Sequence, residues 1–189
     1  FYLARLELQA GGVIGGTIPG VPLVLTGRNA YLGWGITSSY LDDQDLFIEE
    51  VNPANAAQYR TPGGWADFET RDSVIRIADQ VPVTIQLQWT RNGPVLSPDQ
   101  FDLREIRPPG HVVALGWTAL SHDDTTIEAG MDLMRARTVE AGIAAGQGFV
   151  APAQVLTLAD RNTVGMKLIG HVPARDPDHV TKGRMPHFG

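Results

Sequence analysis

Apolar side chains alternate with polar ones along much of this chain, most regularly from residue 81 to residue 89. Successive side chains of a strand point to opposite faces, so this stretch predicts a half-buried strand. Similar patterns predict strands over residues 2–8, 74–78 and 111–120. The frequent Gly and Pro residues between the patterned stretches predict many short strands joined by turns.

Two apolar runs, residues 21–26 and 31–38, flank a Gly-Arg-Asn sequence. We expect a hairpin whose turn uses positive φ at Gly27 and Asn29, residue types that tolerate it. A second strand pair is predicted over residues 154–159 and 164–169.

Helical signals are fewer. Residues 53–58 predict one short helix with Asn52 as its cap. A larger helical insertion is predicted at about residues 125–147, because Thr125 or Thr126 can cap a helix with apolar residues at helical spacing and Thr138 can cap a second. The chain is therefore predicted to be an α+β protein. We expect one antiparallel sheet to contain residues 31–38 and 81–89, with the helices packed on one side.

Composition excludes several classes of partner. Hydrophobic residues make up 43% of the chain and charged residues 19%, which is ordinary for a folded protein. The formal net charge is −6 and the 15 basic residues form no continuous run, which disfavours nucleic acids and anionic membranes. No apolar run is long enough to span a bilayer, and the absence of cysteine excludes disulfides and thiolate metal sites.

One segment carries a specific family resemblance. It contains Pro-Gly-Val-Pro at 19–22, the Gly-Arg-Asn turn, Trp-Gly-Ile-Thr at 34–37, and an Asp-x-x-Asp-Leu-Phe sequence that starts at Asp42. In this order the motifs resemble those of the penicillin acylase family of N-terminal-nucleophile hydrolases. The Thr-Arg-Asn-Gly-Pro sequence at 90–94, where the family has His in place of Asn, and the Ala-Asp sequence at 159–160 extend the resemblance over nearly the whole chain.

The resemblance implies that residues 1–189 are a single partial domain from the strand-rich αββα core of the large subunit. The chain begins at Phe1 without an initiator Met, and we expect it to be an internal piece of a larger protein. The family's nucleophile is a Ser at the first position of the large subunit, which the resemblance places before Phe1. The internal serines lack a nucleophile-elbow motif and are expected to be turn or strand residues: Ser38, Ser39, Ser73, Ser97 and Ser121.

Three positions correspond to the family's catalytic residues. The resemblance implies that the backbone N–H of Ser38 is one oxyanion donor; the alternative is an ordinary strand residue bonded in the ladder. Val155 stands where the family has an Asn whose side chain is the second donor, and Val cannot donate. Gln154 could donate only if the strand is bulged or the register shifts by one residue. Arg175 matches an Arg that braces that Asn and the nucleophile; the alternative is a solvated loop charge.

A calcium site is implied by the acidic part of the same segment. Calcium binds oxygen ligands, and the resemblance assigns the side chains of Asp42 and Asp45 and the backbone carbonyl of Gln44 to it. The remaining ligands, including one from the small subunit, lie outside this chain. The alternative is a solvated acidic turn. The histidines show no metal-ligand spacing and are expected on the surface or in the tail: His111, His122, His171, His179 and His187.

Two functions from different classes remain open, besides a plain β-rich interaction domain. The first is a hydrolase that cleaves a linear amide of an acylated amine through an acyl-enzyme at the N-terminal Ser, with the piece itself inactive. The second, suggested by Val155, is a homologue that has lost catalysis and acts as a binding protein. The resemblance also implies a role in antibiotic metabolism, a periplasmic or secreted location, and partners in the rest of the large subunit and the small subunit. Exposed apolar surface is expected to cause self-association.

Overall fold

The computed structural model describes residues 1–9, 11–175, 177–178 and 184–189, and strands predominate among them. In chain order the strands are β1 (Tyr2–Leu8), β2 (Gly11–Thr17), β3 (Thr26–Arg28), β4 (Gly33–Ser38), β5 (Gln44–Glu50), β6 (Gln58–Thr61), β7 (Gly64–Asp67), β8 (Glu69–Ile75), β9 (Val83–Thr90), β10 (Gly93–Pro94), β11 (His111–Trp117), β12 (Gln154–Ala159), β13 (Val164–Ile169) and β14 (His187–Phe188). The α-helices are α1 (Thr126–Arg135) and α2 (Val139–Ala145). The α+β prediction is confirmed.

The chain forms two compact units, each made of two separate stretches. Phe1–Asp43 and Thr118–Val172 form the first unit, and Gln44–Trp117 and Pro173–Gly189 form the second. The prediction of a single partial domain concerns the complete protein and stays a prediction.

A six-stranded sheet in the order β1-β2-β3-β4-β12-β13 is the centre of the first unit. All of its neighbouring strands are antiparallel. Leu156 and Leu158 of β12 are almost fully buried in the core that also contains buried residues of α1 and α2. Each such leucine stabilises the fold by about 1.5–3 kcal/mol through removal from water. One face of this sheet is therefore covered by the helices.

The other face of the sheet carries Val155, Thr157, Val164, Met166 and Leu168, and we call it the open face. Val155 is half-buried, and the other four side chains are exposed. The exposed fractions of Val164 and Met166 are 76% and 73%. Apolar side chains on a central sheet are normally covered, so this face is unusual for an isolated chain.

The turn between β3 and β4 differs from its prediction, because Gly27 and Asn29 both have negative φ. Asn29 is needed for its side chain: Nδ2 donates to the carbonyls of Met134 and Ala136, at 3.1 and 2.7 Å, and Oδ1 accepts two backbone N–H groups of the turn. Gly27 pairs with Gly15 of β2, and a Cβ on either residue would clash with the backbone of the other strand. Close approach of two strands, and not turn geometry, requires these glycines.

The second unit contains three small sheets, in the orders β10-β9-β8, β11-β5-β14 and β6-β7. Glu49 of β5 is buried, and its Oε1 accepts a 2.7 Å hydrogen bond from Asn92 Nδ2. The phenolic oxygen of Tyr59, on β6, accepts a 2.8 Å bond from the backbone N–H of Arg91. These polar contacts connect the central strand β5 and the β6–β7 hairpin to the turn between β9 and β10.

Several element predictions need correction. The helix predicted at residues 53–58 is wrong: Asn52 and Asn55 each accept a backbone N–H two residues later, so their side chains stabilise turns instead. The single sheet predicted to contain residues 31–38 and 81–89 is also wrong, because β4 and β9 lie in different sheets. The apolar face predicted over residues 81–89 is partly buried only at Leu87 and Trp89, because the apolar residues before them on that face are exposed.

Candidate active-site strands

The strand pair β4–β12 holds two of the three predicted catalytic positions. The pairing is uninterrupted over six residue pairs, from Gly33–Ala159 to Ser38–Gln154. Ser38 is exposed at the end of β4, and Val155 lies opposite Thr37, one pair away. Register in this sheet thus brings Ser38 and Val155 to neighbouring positions, although they are far apart in the sequence.

Gln154 and Val155 are successive strand residues, so their side chains point to opposite faces of the sheet. Gln154 shares its face with Leu156 and Leu158, which the helices cover, whereas Val155 belongs to the open face. The continuous register leaves no bulge in β12 that could reverse these directions. Gln154 therefore does not replace an amide donor at position 155.

Thr37 is the side chain that sequence reasoning missed at this site. Directly opposed residues of an antiparallel pair point to the same face, so the Thr37 hydroxyl lies beside Val155 on the open face. Among the hydrogen bonds of the described residues, none uses the Thr37 hydroxyl. Sequence alone offers one signal: Thr37 is the last residue of the Trp-Gly-Ile-Thr motif and directly precedes Ser38.

The start of β12 is held in place by a buried threonine. Thr126 Oγ accepts hydrogen bonds from the backbone N–H groups of Val150 and Ala151, at 2.9 and 3.1 Å, and donates to the Ala151 carbonyl at 3.2 Å. A buried hydroxyl with all its bonding capacity used fixes its neighbours firmly. The first turn of α1 thus positions the segment that leads into Val155.

The end of β12 is fixed by Asp160. Its carboxylate accepts hydrogen bonds from the backbone N–H groups of Val139 at 3.0 Å, and of Asn162 and Thr163 at 2.8 Å each. These bonds, that of Asn162 foremost, lower the pKa of Asp160 below the ordinary aspartate value. The β12–β13 turn is thereby tied to the start of α2.

Arg175 lies in the second unit, where it forms an ion pair with Asp45. Its Nε donates to both carboxylate oxygens of Asp45, at 3.1 and 3.0 Å, and Nη2 is 3.5 Å from the Gln44 carbonyl oxygen. The exposed fractions of the two side chains are 19% and 6%. The guanidinium is therefore paired with a carboxylate, and its predicted bracing role stays a prediction.

The predicted calcium ligands have suitable chemistry but are too few. Asp42 belongs to the first unit and Asp45 to the second. Carboxylate and carbonyl oxygens suit a hard cation, yet both Asp45 oxygens already accept from Arg175. The described residues contain no cluster of three or more acidic, His or Cys side chains that could hold a metal ion. A cation at Asp45 would need further ligands and would compete with Arg175.

No helix in the described part of the chain is both long and apolar enough to cross a bilayer.

Comparisons with known proteins agree on one family. The sequence profile of the family described as Penicillin amidase matches residues 1–189. Acyl-homoserine lactone acylase QuiP of Pseudomonas fluorescens Pf-5 is 30% identical over 176 residues, or 93% of this chain and 21% of that protein. Penicillin G acylase of Escherichia coli is 28% identical over 101 residues, or 52% of this chain and 12% of that protein.

A solved structure extends the comparison to the fold. Thermostable penicillin G acylase from Alcaligenes faecalis matches with a TM-score of 0.85 and 24% identity, over 100% of this chain and 32% of that one. The chain spans about a fifth of the length of the first relative, QuiP. The structural match shows that these residues adopt the fold of one part of a much longer chain.

Proposed function

Since the chain belongs to the penicillin amidase family, we propose that the complete protein is an amidohydrolase that cleaves a linear amide between an acyl group and an amine. The nucleophile is an N-terminal Ser outside residues 1–189, and the reaction passes through an acyl-enzyme. The acylated amine is a small molecule in this proposal, which the names of the two relatives, an acyl-homoserine lactone acylase and a penicillin G acylase, support. Residues 1–189 alone are inactive.

The uninterrupted β4–β12 register is the observation that carries this proposal. A tetrahedral intermediate requires hydrogen-bond donors held rigidly toward its oxyanion. Ser38 is at the exposed end of β4 and supplies one donor through its backbone N–H. Asn29 and Thr126 anchor the two strands to α1, which supports a rigid site.

The Thr37 hydroxyl supplies the second donor in this proposal. Val155 has no polar group, and Gln154 faces the helices, whereas Thr37 lies opposite Val155 on the open face. A hydroxyl can rotate to donate toward an oxyanion. The open face packs against the rest of the large subunit, and the small subunit completes the acyl pocket. Arg175 braces the nucleophile in the complete protein.

The remaining expectations belong to the same proposal. Asp42, Asp45 and the Gln44 carbonyl contribute to a structural calcium site whose other ligands come from the remaining chain. The protein is periplasmic or secreted and participates in antibiotic metabolism. The family resemblance supports each of these, and the oxygen chemistry of Gln44 and Asp45 supports the calcium site.

A second candidate is a binding protein that has lost hydrolysis, which Val155 favours. The deciding experiment incubates the complete protein with an activated acyl ester and follows the intact mass of the large subunit, together with amine release from an acylated amine. Hydrolysis predicts a mass increase by one acyl group, reversed on release, and steady amine formation. A protein that binds the amide tightly but forms neither acyl-enzyme nor amine supports the binding function instead.

A further inference from the structure

A cleft in the second unit is lined by residues that the function proposed above does not use. The cleft, of about 540 Å³, opens between β9, the segment after β10, and β11. This volume lies within the range of ligand-binding pockets. We call it the Arg107 cleft, and six of its lining residues carry the argument: Ile85, Leu87, Leu96, Phe101, Arg107 and Val112.

The cleft exists because the chain changes strand partners. β10 pairs with β9 at Thr90 and Trp89, and the N–H of Val95 bonds to the carbonyl of Gln88 at 2.9 Å. The next residue, Leu96, donates to Val113 of β11 instead. The edge of β9 that precedes Gln88 therefore has no strand partner on this side among the described residues, and a space opens beside it.

The walls of the cleft are mainly apolar: seven of its twelve lining residues are apolar, and the other five are Gln86, Gln88, Ser97, Gln100 and Arg107. Phe101 is 56% exposed and Ile85 is 39% exposed, although both are large hydrophobic side chains beside a concave surface. Exposed apolar side chains that line a cleft favour an apolar ligand, because binding removes them from water.

Arg107 adds a single positive charge to this apolar lining. Its Nη1 donates to the His111 carbonyl at 3.2 Å, while its Nε is buried without a hydrogen-bond partner. No carboxylate of the described residues pairs with Arg107. The nearby Arg104, by contrast, pairs with Asp99 on the surface. An incompletely bonded guanidinium favours an anionic group such as a carboxylate.

We propose that the Arg107 cleft binds a linear aliphatic carboxylate, with the chain along the apolar walls and the carboxylate on Arg107. Charge complementarity selects an anion, and the apolar walls select the aliphatic chain. The proposal needs neither the N-terminal Ser nor the oxyanion donors, so loss of amide hydrolysis would leave it unchanged.

The test is isothermal titration of the complete protein with dodecanoate below its micelle-forming concentration. We expect saturable binding that depends on Arg107. Arg107→Met should weaken it about tenfold or more, because a charge-assisted contact is lost. Arg104→Met is the matched control and should bind as the wild type does. Phe101→Ala, at a largely exposed position, should also weaken binding.

Neutral dodecanol separates the charge from the apolar walls. Its affinity should change little in Arg107→Met and should fall in Phe101→Ala. The proposal is overturned if dodecanoate does not saturate, if Arg104→Met weakens binding as much as Arg107→Met, or if dodecylamine binds as tightly as dodecanoate.

Discussion

At the scale of single residues, Val155 is the position that most affects the proposed chemistry. The family resemblance assigns an amide donor to this position, and the sheet register shows that neighbouring Gln154 faces away. The side-chain donor that lies beside Val155 on the open face is the Thr37 hydroxyl, which has one hydrogen atom and can rotate.

Placing an Asn side chain at position 155 should therefore increase the rate of amide hydrolysis. We expect Val155→Asn in the complete protein to raise kcat about tenfold or more, since one oxyanion donor contributes about 10²- to 10³-fold and Thr37 already supplies part of this. The measurement is steady-state hydrolysis of an acylated amine. An unchanged kcat in an otherwise active protein would mean that position 155 does not face the oxyanion.

Thr37 variants provide the matched control. Thr37→Val removes the hydroxyl at nearly constant shape and should lower kcat about tenfold or more, whereas Thr37→Ser should retain most of it. In the Val155→Asn background, Thr37→Val should cost less, because the amide takes over. Equal losses in both backgrounds would contradict a shared role of the two positions.

The Arg175–Asp45 pair leads to a second prediction at this scale. Removing the guanidinium in Arg175→Met leaves the buried Asp45 carboxylate without its donor, which should cost about 1.5–3 kcal/mol of unfolding free energy. Calcium should raise the melting temperature of the complete protein, and more so in Arg175→Met, because the cation then neutralises Asp45 without competition.

The control for this prediction is the 189-residue chain itself. In the proposed calcium site it supplies only some of the ligands, so it should show little calcium-dependent shift. Thermal unfolding with and without calcium measures both proteins. A large shift in the short chain, or none in the complete protein, would contradict the calcium assignment.

At the scale of elements, Asp160 links the β12–β13 turn to the start of α2. Its pKa is lowered by backbone hydrogen bonds, first that of Asn162. A lowered folded-state pKa stabilises the protein above the unfolded-state value of about 4, and this contribution is lost as the pH falls through the folded-state pKa.

We therefore expect Asp160→Asn to be less stable than the wild type at neutral pH, with the difference shrinking below about pH 4. Chemical denaturation of both proteins between pH 7 and the acid limit of folding measures this. The exposed Asp132, which pairs with Arg135 on the surface, gives the control substitution Asp132→Asn. A difference that is constant with pH would show that the bonds do not depend on the charge.

Element prediction from sequence succeeded where two signals coincided. The strands at 154–159 and 164–169 were predicted with their observed bounds, because alternation and an Asp-Arg-Asn turn agree there. Thr138 caps α2 as predicted. The helix prediction for residues 53–58 was wrong because two Asn side chains stabilise turns there. The role of Gly27 depends on its contact with Gly15 of the neighbouring strand, which no local sequence pattern reveals.

At the scale of the whole molecule, the most unusual feature is the uncovered apolar surface of the open face. The six-stranded sheet with helices on one face supplies one helical layer and one sheet layer of the expected αββα arrangement. Its uncovered apolar residues support the proposal that a further layer packs there in the complete protein. Sequence patterns could not reveal the open face, because alternation along a strand does not show which face of a sheet the helices cover.

We expect the 189-residue chain to self-associate through the open face. Met166→Lys, at the 73% exposed position on this face, should weaken association about tenfold or more, because it places a charge in an apolar contact. Ile127→Lys, at a 48% exposed position on α1, is the control and should have little effect. Sedimentation velocity over a concentration series measures this, and a monomer at every concentration would contradict it.

The division of the chain into two interleaved units affects how the protein can fold during synthesis. Asp45 leaves the ribosome 130 residues before Arg175, which at about 5–20 residues per second is a delay of roughly 7 to 26 seconds. The first unit can close once Val172 has emerged, whereas the second needs the segment from Pro173 onward. If a ribosome stalls after Val172 has emerged but before Arg175 has, the first unit can therefore be closed while Asp45 of the second unit still has no Arg175 to pair with. Such an incomplete second unit is a substrate for chaperones and proteases.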